Sequence, residues 1–475
     1  MSSLSALDSL LSSSSPASSI NLSEILEAAT GASSPGIDVN EAVSAAVTAA
    51  EAPEQNWESQ MTTLQNQTSA LTSLQSDTTN LDNDMQALNS LTGPLSAVTV
   101  SSSNSGVVTA SAVSGSATGN NVVVVNSLAS TASWSSSAVA SATTDLPAES
   151  ITITPAGGTA TTITTGSGVD TLTDLQNAIN SADLGVNASI ITDASGSRLA
   201  ITSDTSGSAG SFAIASSGGS FGFTVGNTGS NASLTVNGIS VSSASNTVTG
   251  ALPGVTLNLQ SASPGTEVSL DVAPNTSQAS SAINQFVSDY NTLIGAVNSQ
   301  YSDAGSGQGV LADDPTVESL QNTLLQTLDY TASPASGNAS TTVPNLSSLG
   351  ITVNKDGTLS VDNGTLTSAL QNNFSDVQNF FQGSSLNGFA NSLDQQLTNF
   401  ISPADGAFTV DLQSNSTEYT SLQTDISNFQ TNIITPLQAQ LQSEYSAAEI
   451  ALQQLPNEIK DVDAELGENN SSSSS

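Results

Sequence analysis

The segment YTSLQTDISNFQTNIITPLQAQLQSEYSAAEIALQQLPNEIKDVDAEL (419–466) has the most sustained helical periodicity in the chain. Its apolar residues recur only at steps of three and four, which places them on one face of an α-helix. We call this face the C-terminal seam; its residues are Tyr419, Leu422, Ile426, Phe429, Ile433, Leu437, Leu441, Tyr445, Ala448, Leu452, Leu455, Ile459, Val462 and Leu466. An apolar seam of this length needs a partner helix of similar length. Pro436 and Pro456 are expected to kink or divide the helix, because proline lacks the backbone N–H that an α-helix uses.

A partner for this seam is predicted near the other end of the chain. Residues 37–91 form a second amphipathic pattern, with Asp38 as a candidate N-cap and Gly93-Pro94 as a stop signal. Its apolar positions are Trp57, Met61, Leu64, Leu71, Leu74, Leu81, Met85 and Leu88, whereas Thr68 and Thr78 stand where a strict heptad has apolar groups. Packing the two segments together predicts an antiparallel, coiled-coil-like helical leg.

The middle of the chain follows the period of two that is typical of β-strands. From about residue 98 to residue 272, β-branched residues alternate with polar ones between Gly, Ser and Asn turns. Residues 171–182 interrupt this pattern with a predicted helix. The next segment, 188–203, predicts a hairpin with its turn near Ser195-Gly196. The middle therefore predicts a β-rich head with a separate insertion.

The overall prediction is an elongated, multi-domain α+β fold in which β-rich head domains are inserted into a helical leg. Helices resume at Ser277, and the Lys355-Asp356-Gly357 turn predicts a β-hairpin near 350–362. The predicted domains are a disordered Ser-rich leader (1–36), the helical leg (37–97 and 275–466), a β-rich head domain (98–129 and 229–274), an inserted outer head domain (130–228) and a disordered tail (467–475).

The charge of the chain is strongly one-sided. Its 41 acidic and 3 basic residues give a formal net charge of −38. Nucleic-acid binding is excluded, because phosphate neutralisation needs clustered Lys or Arg, and anionic membranes are poor partners for the same reason. The chain also lacks an apolar run long enough to span a membrane. A second hypothesis from this composition is adaptation to acid, in which many carboxylates would be protonated.

Cysteine and histidine are both absent. A cysteine nucleophile, a Ser-His-Asp triad, a His-bearing zinc site and a disulfide framework are therefore excluded. The paired carboxylates Asp313 and Asp314 are catalytic candidates, but an Asp that precedes Pro315 and a helix is typical of an N-cap. Asp356 and Asp362 miss the spacing of an EF-hand loop and favour a turn. We predict no catalytic, cofactor-binding or metal-binding residue, and no enzymatic activity.

Other features favour structural roles. The Gly-rich stretch DAGSGQG (303–309) lacks the Lys that a phosphate loop requires, which favours a connector. Trp57 is expected in the core, whereas Trp134 fits the core and the surface equally. The C-terminal seam is expected to be mostly core, with a subunit interface as the alternative.

Five separated motifs together resemble one known family. SSPGIDVNEAVSAAVTAAEAP (33–53), in which Gly36, Ile37 and Asp38 open a helix, resembles the N-terminal signature of the flagellar filament cap, also called the flagellar hook-associated protein 2 family. The others, in chain order, are the flagellin- and hook-like motif 171–203, the segment 231–272 followed by 283–297, and the segments 309–324 and 346–373. Their common order makes the resemblance specific.

The resemblance implies an extracellular structural protein at the distal end of the flagellar filament. Such a cap promotes flagellin polymerisation and prevents loss of exported flagellin. The family implies a homo-oligomeric ring of about four to six subunits, with flagellin, hook–filament junction proteins and an export chaperone as partners. It also implies export through the flagellar type III apparatus, which fits an N-terminus without the positive charge of a secretory signal.

Two other interpretations remain from the sequence. One is a different axial component, such as flagellin or a junction protein, which the Gly36-Ile37-Asp38 opening and the motifs of 283–373 disfavour. The other is a secreted adhesin that binds glycans or mucus through its Ser-, Thr- and Gly-rich head. Adhesion is compatible with capping, because the head of a cap is exposed.

Overall fold

The computed structural model describes residues 38–218, 221–302, 308–334 and 341–471. The predicted leader (1–36), Gly36 and Ile37 of the signature, and residues 303–307 of the Gly-rich stretch lie outside the described residues. The described chain is α+β, with helices toward both of its ends and antiparallel sheets between them.

The α-helices of the described residues are α1 (Val39–Ala50), α2 (Ala52–Asn89), α3 (Leu172–Ser181), α4 (Thr276–Tyr301), α5 (Pro315–Thr327), α6 (Asn363–Asn372), α7 (Phe374–Gln382), α8 (Phe389–Ile401), α9 (Ala407–Phe429) and α10 (Thr435–Ser471). Short 3-10 helices span Pro94–Ser96, Ser208–Gly210 and Leu346–Leu349, and a π-helix spans Gln430–Ile434. None of the helices in this part of the chain carries the apolar stretch that a membrane span needs.

The first helix begins as predicted but is interrupted. The Asp38 carboxylate accepts a hydrogen bond from the Glu41 N–H at 3.1 Å, which confirms Asp38 as the N-cap. The prediction of one continuous helix is wrong at Glu51, which separates α1 from α2. Pro53 is the second residue of α2, and proline cannot continue a preceding helix without a clash one turn earlier. The break is therefore fixed by Pro53.

The strands are β1 (Val98–Ser102), β2 (Val108–Ala112), β3 (Gly119–Ser127), β4 (Thr131–Ser136), β5 (Ser150–Pro155), β6 (Thr161–Thr164), β7 (Val186–Asp193), β8 (Gly196–Ser206), β9 (Phe212–Ser216), β10 (Phe223–Asn227), β11 (Ala232–Val236), β12 (Ile239–Ser243), β13 (Thr247–Leu252), β14 (Val255–Leu259), β15 (Val268–Pro274), β16 (Ile351–Val353) and β17 (Leu359–Val361). Both predicted hairpins are confirmed. Asp193 pairs with Gly196 at the turn between β7 and β8, and β16 pairs with β17 around the turn that contains Gly357.

The chain divides into two compact units. Among the described residues, unit 1 contains 38–79, 293–302, 308–322 and 397–471, and unit 2 contains 80–218, 221–292, 323–334 and 341–396. The sequence predicted a single helical domain over 37–97 and 275–466. The structure instead groups the helical residues 80–89, 276–292 and 363–396 with the β-rich middle of the chain.

The β-rich part of unit 2 has two apolar cores. Sheets β1-β15-β3-β11-β12 and β13-β14-β2 enclose the first core, which includes Val123, Leu234 and Leu257. Sheets β10-β4-β8-β7 and β6-β5-β9, together with α3, enclose the second core, which includes Ile151 and Leu175. Every strand of the second core falls within residues 130–228. Each core is shielded on both faces, as a layered domain requires.

The helical part of unit 2 has an aromatic core. Phe389 of α8 stacks on Phe380 of α7 with ring centroids 5.3 Å apart, and it meets Phe286 of α4 edge-on at 5.6 Å. These rings are fully buried. Aromatic pairs in such offset and edge arrangements stabilise a core beyond the apolar area that they bury. They explain why these helices group with unit 2.

Helix α10 differs from its prediction at two places. Pro436 is the second residue of α10, which begins where the π-helix ends. The helix continues through Pro456 without interruption. It also continues to Ser471, inside the tail 467–475 for which we predicted no regular structure. Residues 472–475 lie outside the described range.

Candidate functional site

Within unit 1, the first and last helical segments of the chain pack against each other. Trp57 of α2 meets Phe429 of α9 edge-on, with ring centroids 5.4 Å apart. Eight residues later on α2, the Gln65 amide donates a hydrogen bond to the Tyr419 hydroxyl at 2.9 Å. The residue numbers of the contacts on α9 fall as those on α2 rise, so the two helices run antiparallel. The predicted antiparallel packing of N- and C-terminal segments is confirmed.

The predicted residues of the C-terminal seam differ in their burial. Leu422 is buried, and the half-buried members are Tyr419, Ile426, Phe429, Leu437, Leu441, Tyr445, Ala448 and Leu452. Ile433 and Leu455 are exposed, at 41% and 45% of their surface. The side chain of Ile459 lies outside the described residues. Within the described chain, the seam therefore leaves much apolar surface open along α9 and α10.

A π-helix changes which isoleucine faces inward. Gln430–Ile434 forms this π-helix, and Ile434 is only 3% exposed, in contrast to Ile433. A π-turn adds one residue to the helical repeat, so the inward face shifts by one position. Pro436 lies two residues after the π-helix. The wider turn accommodates this proline, which has no backbone N–H to donate to the carbonyl of residue 432. Ile434 therefore takes the inward position that we predicted for Ile433.

Two open grooves lie between the antiparallel helices of unit 1. One has a volume of about 550 Å³ and is lined by Leu64, Gln65, Thr68, Ser69, Asn415, Ser416 and Tyr419. The other, of about 400 Å³, is lined by Asn40, Val43, Ser44, Val47, Thr48, Glu51, Gln438 and Gln442. Thr68 is one of the two polar interruptions in the heptad pattern, and its small side chain leaves the first groove unfilled. Neither groove is lined by a cation.

Thr78, the other polar interruption, has a different role. Its side chain is fully buried, and its hydroxyl donates to the Leu74 carbonyl at 2.7 Å. A buried hydroxyl that is satisfied within its own helix carries little energetic cost. Thr78 is therefore part of the core and does not open a groove.

One of the two carboxylates considered for catalysis caps a helix. Asp314 accepts hydrogen bonds from the N–H groups of Thr316 and Val317 at the start of α5, while Asp313 is exposed. Burial raises the pKa of Asp314, and the nearby charge of Asp411 acts in the same direction. The two adjacent carboxylates thus have different environments.

The calcium candidates are also structural. The Asp356 carboxylate accepts from the hydroxyl and the N–H of Thr358, and the first of these bonds is the main reason that the pKa of Asp356 is lowered. Asp362 caps α6 by accepting from the N–H groups of Gly364 and Thr365, which lowers its pKa. Within the described ranges, no group of three or more carboxylates is arranged to hold a metal ion.

The outer β domain is ordered by local caps and by Trp134. Thr171 and Asp174 form a capping box at the start of α3, in which the Thr171 hydroxyl donates to Asp174 at 2.7 Å and lowers the pKa of that carboxyl. The Trp134 ring is half-buried, and its Nε1–H donates to the Phe212 carbonyl at 3.0 Å. Both groups hold the domain together, so the core interpretation of Trp134 is favoured.

Sequence reasoning missed the residues that meet only through tertiary structure. Gln382, the last residue of α7, is buried and donates to the carbonyls of Leu88 and Ser90, at 3.2 and 3.0 Å, where α2 ends. It also missed two pairs of aspartates that face each other between helices of unit 2, Asp82 with Asp394 and Asp84 with Asp289. The only signal in the sequence was the position of each Asp beside the apolar residues Leu81, Met85 and Leu88 of the helical pattern.

Family models match most of the described chain in a fixed order. The model of the flagellar hook-associated protein 2 N-terminus matches residues 35–132, and the model of the flagellar hook-associated protein 2 C-terminus matches residues 229–457. Between them, the flagellin hook IN motif matches residues 150–205, which contain α3 and the β7–β8 hairpin.

Relatives and a solved structure agree with these matches. The B-type flagellar hook-associated protein 2 of Pseudomonas aeruginosa is 27% identical over 332 residues, which are 63% of this chain and 69% of the relative. The lateral flagellar hook-associated protein 2 of Vibrio parahaemolyticus is 27% identical over 170 residues, or 35% of this chain and 36% of the relative. The crystal structure of the D1-D2-D3 domains of the flagellar cap protein FliD from Escherichia coli superposes with a TM-score of 0.57 at 27% identity, and covers 73% of this chain and 99% of that one.

Proposed function

This chain belongs to the flagellar hook-associated protein 2 family and caps the distal end of the bacterial flagellar filament, and we propose how its two units serve that role. It is an extracellular protein that promotes flagellin polymerisation and prevents the loss of exported flagellin. One observation carries this conclusion above the others. The N- and C-terminal family models match in order on either side of the flagellin hook IN motif. The relatives named above are hook-associated and cap proteins, which favours this function over a secreted adhesin.

The cap is an oligomer on a flagellin filament. We propose a closed ring of about four to six copies. A closed ring confines an arriving flagellin subunit near its lattice site, which raises its local concentration and gives its ends time to fold there. Catalysis is not needed for this task. Of the two catalytic candidates, Asp314 is engaged as a helix cap and Asp313 is exposed, which supports a protein without enzymatic activity.

Unit 1 is the part that we assign to flagellin contact. The half-buried seam of α9 and α10 and the two open grooves supply apolar strips bordered by amide and hydroxyl groups. Contacts of this composition are modest in strength. They suit a cap that must release its hold each time a subunit is added beneath it.

The β-rich part of unit 2 is assigned to the plate that the copies form together. We propose domain limits at 98–129 with 229–274 for the inner head domain and at 130–228 for the outer one. The two apolar cores support this division, since each draws its strands from one of these ranges. A folded outer domain with its own core tolerates exposure at the filament tip.

Two further partners follow from the family and are proposals. Hook–filament junction proteins are the first surface on which a cap would assemble, before any flagellin has been added. An export chaperone is proposed to bind near the C-terminal end of the chain. Helix α10 has a half-buried to exposed apolar face there, which includes Leu452 and Leu455, and a chaperone could cover it before export.

Deletion of the gene tests the function. We expect short or absent filaments in electron micrographs and monomeric flagellin in the culture medium, with both defects reversed when the gene is restored. A strain complemented with the Tyr419→Ala variant tests the groove, and one with Val410→Ala, an exposed position on the same helix, is its control. Filaments of normal length in the deletion strain would contradict the cap function.

A further inference from the structure

Two aspartates border the buried apolar face of the last turns of α2. Leu81, Met85 and Leu88 are completely buried on one face of this helix, and Asp82 and Asp84 flank that face on its two sides. Asp82 is itself only 5% exposed, and Asp84 is half-buried. A charged carboxylate in such a place needs a cation or several hydrogen-bond donors to replace the water that it has lost.

The first aspartate faces another carboxyl instead of a cation. Asp82 lies within hydrogen-bonding reach of Asp394 on α8. The Gln86 amide donates to Asp82 Oδ2 at 2.8 Å, while Oδ1 is buried without a donor. Burial, followed by the charge of Asp394, raises the pKa of Asp82 to about 7. A proton on one of the two carboxyls supplies a donor between the facing oxygens.

The second aspartate repeats the arrangement on the other side of α2. Asp84 faces Asp289 of α4, and burial together with that neighbour raises the pKa of Asp84 to about 7. Asp84 Oδ2 is buried without a donor, whereas Asp289 Oδ2 accepts from the Gln285 amide at 3.0 Å. Asp84 is thus the carboxyl of this pair whose buried oxygen has no donor, and a proton on it supplies one.

The other charged groups near these helices do not neutralise the pairs. On α7, Asp376 accepts hydrogen bonds from the N–H and hydroxyl of Thr342 and only adds negative charge. On α4, burial raises the pKa of Tyr290, which keeps that side chain neutral. Within the described residues, Arg198 pairs with Asp193 on the β7–β8 hairpin, Lys355 sits in an exposed turn, and Lys460 belongs to unit 1.

We propose that the two aspartate pairs are a proton-dependent lock on the helical part of unit 2. One shared proton in each pair holds α2 against α8 and against α4. When both protons leave, two facing carboxylates repel each other in each pair, and the helices that support the β-rich part of unit 2 loosen. This device does not depend on the capping function, but it gives an exported cap a fold that tightens in an acidic medium.

The direction of the pH dependence follows from the two states. An Asp in the unfolded chain has its ordinary pKa of 3.8, so between pH 4 and about 7 the folded chain holds protons that the unfolded chain has released. The stabilisation that the two pairs contribute is therefore complete below pH 4 and falls as the pH rises through about 7. Above that pH, these groups no longer change the stability of the folded chain. For each proton, the folding equilibrium constant falls by at most about tenfold per pH unit across this window. The more exposed Asp84 pair contributes the smaller share.

Urea unfolding of the full-length chain between pH 4.5 and pH 8.5, followed by circular dichroism, tests the lock. Asp394→Asn and Asp289→Asn each place an amide opposite the remaining carboxylate, which removes the facing charge and supplies a donor, while the burial of Asp82 and Asp84 remains. We expect the wild-type folding constant to fall with pH and that of the double variant to fall clearly less, with at least a tenfold advantage for the variant at pH 8. Asp271→Asn, at an exposed position on β15, is the matched control and should keep the wild-type slope.

Salt separates the lock from general repulsion. At 1 M NaCl, surface charges are screened over about 3 Å, but buried pairs are affected much less. The slope of the wild type should survive in this salt. A wild-type slope that disappears in salt, or a slope that the double variant retains undiminished, would overturn the proposal. So would a wild type that calcium, but not NaCl, stabilises at pH 8, because the pairs would then be a cation site.

Infrared spectroscopy provides a measurement that does not rely on the variants folding. At pH 6 the folded wild type should show absorption from protonated carboxyl groups that is lost on unfolding in urea at the same pH. Absence of this band in the folded chain would contradict the shared protons.

Discussion

Trp57 on α2 and Phe429 on α9 meet edge-on at 5.4 Å, although 372 positions along the chain separate them (429 − 57). Both rings are half-buried, so the contact lies at the border of the packed helices and not in the centre of a core. It joins the beginning of the helical leg to its return segment. An early and a late segment of the chain thus form one folded unit.

Replacement of Phe429 by Ala tests this contact. We expect the free energy of unfolding of unit 1 to fall by about 1–3 kcal/mol, because half of a ring's apolar burial and an aromatic pair are lost. Emission from Trp57, read in a Trp134→Phe background shared by all variants, reports the change directly. Val410→Ala on the same helix, where Val410 is 56% exposed, should change the free energy by less than about 0.5 kcal/mol. Equal effects of the two changes would contradict the packing.

The π-helix is tested by comparing two adjacent isoleucines. Ile434→Ala should cost about 2–4 kcal/mol of unfolding free energy, since a buried side chain leaves a cavity. Ile433→Ala should cost less than about 1 kcal/mol, because its side chain already contacts water. Urea titration of both variants gives the comparison. A larger loss for Ile433→Ala would mean that the helix keeps a regular α-helical repeat through residues 430–434.

Gln382→Ala tests the bond between α7 and the end of α2. The carbonyls of Leu88 and Ser90 would lose a donor in a buried position, which should reduce the free energy of unfolding by about 1–3 kcal/mol. Thermal and urea unfolding measure this loss. Gln371→Ala, at an exposed position on α6, removes the same side chain without a cost of that size. If the two variants lost equal amounts of unfolding free energy, Gln382 would not be needed to end α2.

Thr171→Ala removes the capping box of the outer domain. We expect a loss of about 1 kcal/mol in the stability of that domain and a rise in the pKa of Asp174 toward its ordinary value. Because the folded chain lowers the pKa of Asp174, this group stabilises the domain at pH values above the ordinary pKa of an Asp, and that stabilisation is lost as the pH falls. The variant lacks this contribution, so the stability of its outer domain should be less sensitive to acid. NMR titration of Asp174 measures the shift, with Asn177→Ala on the exposed face of α3 as the control. An unchanged pKa in Thr171→Ala would contradict the box.

Local signals were sufficient for the caps and hairpins. Asp38 directly precedes a segment with helical periodicity. Its carboxylate therefore lies next to the free N–H groups of the first helical turn and accepts a hydrogen bond from one of them. The Lys355-Asp356-Gly357 turn needs a residue that adopts a positive φ, and Gly357 has a φ of 81°. Such features depend on a few neighbouring residues, so the sequence alone predicts them.

Features set by distant residues were not predictable in the same way. Periodicity alone assigned Ile433 to the inward face, because a single inserted residue in a helical turn leaves no mark on a pattern of threes and fours. Asp82 stands next to Leu81 among several polar residues, and its partner Asp394 lies 312 positions away (394 − 82). The aromatic packing around Phe389, which assigns these helices to unit 2, is equally long-range.

Immunogold electron microscopy on intact flagellated cells tests the capping function most directly. An antibody raised against the β-rich segment 98–272 should place gold at the distal end of each filament, and cells of the deletion strain should carry no such label. Label spread along the filament shaft or confined to the hook would contradict a cap and would identify a different axial component.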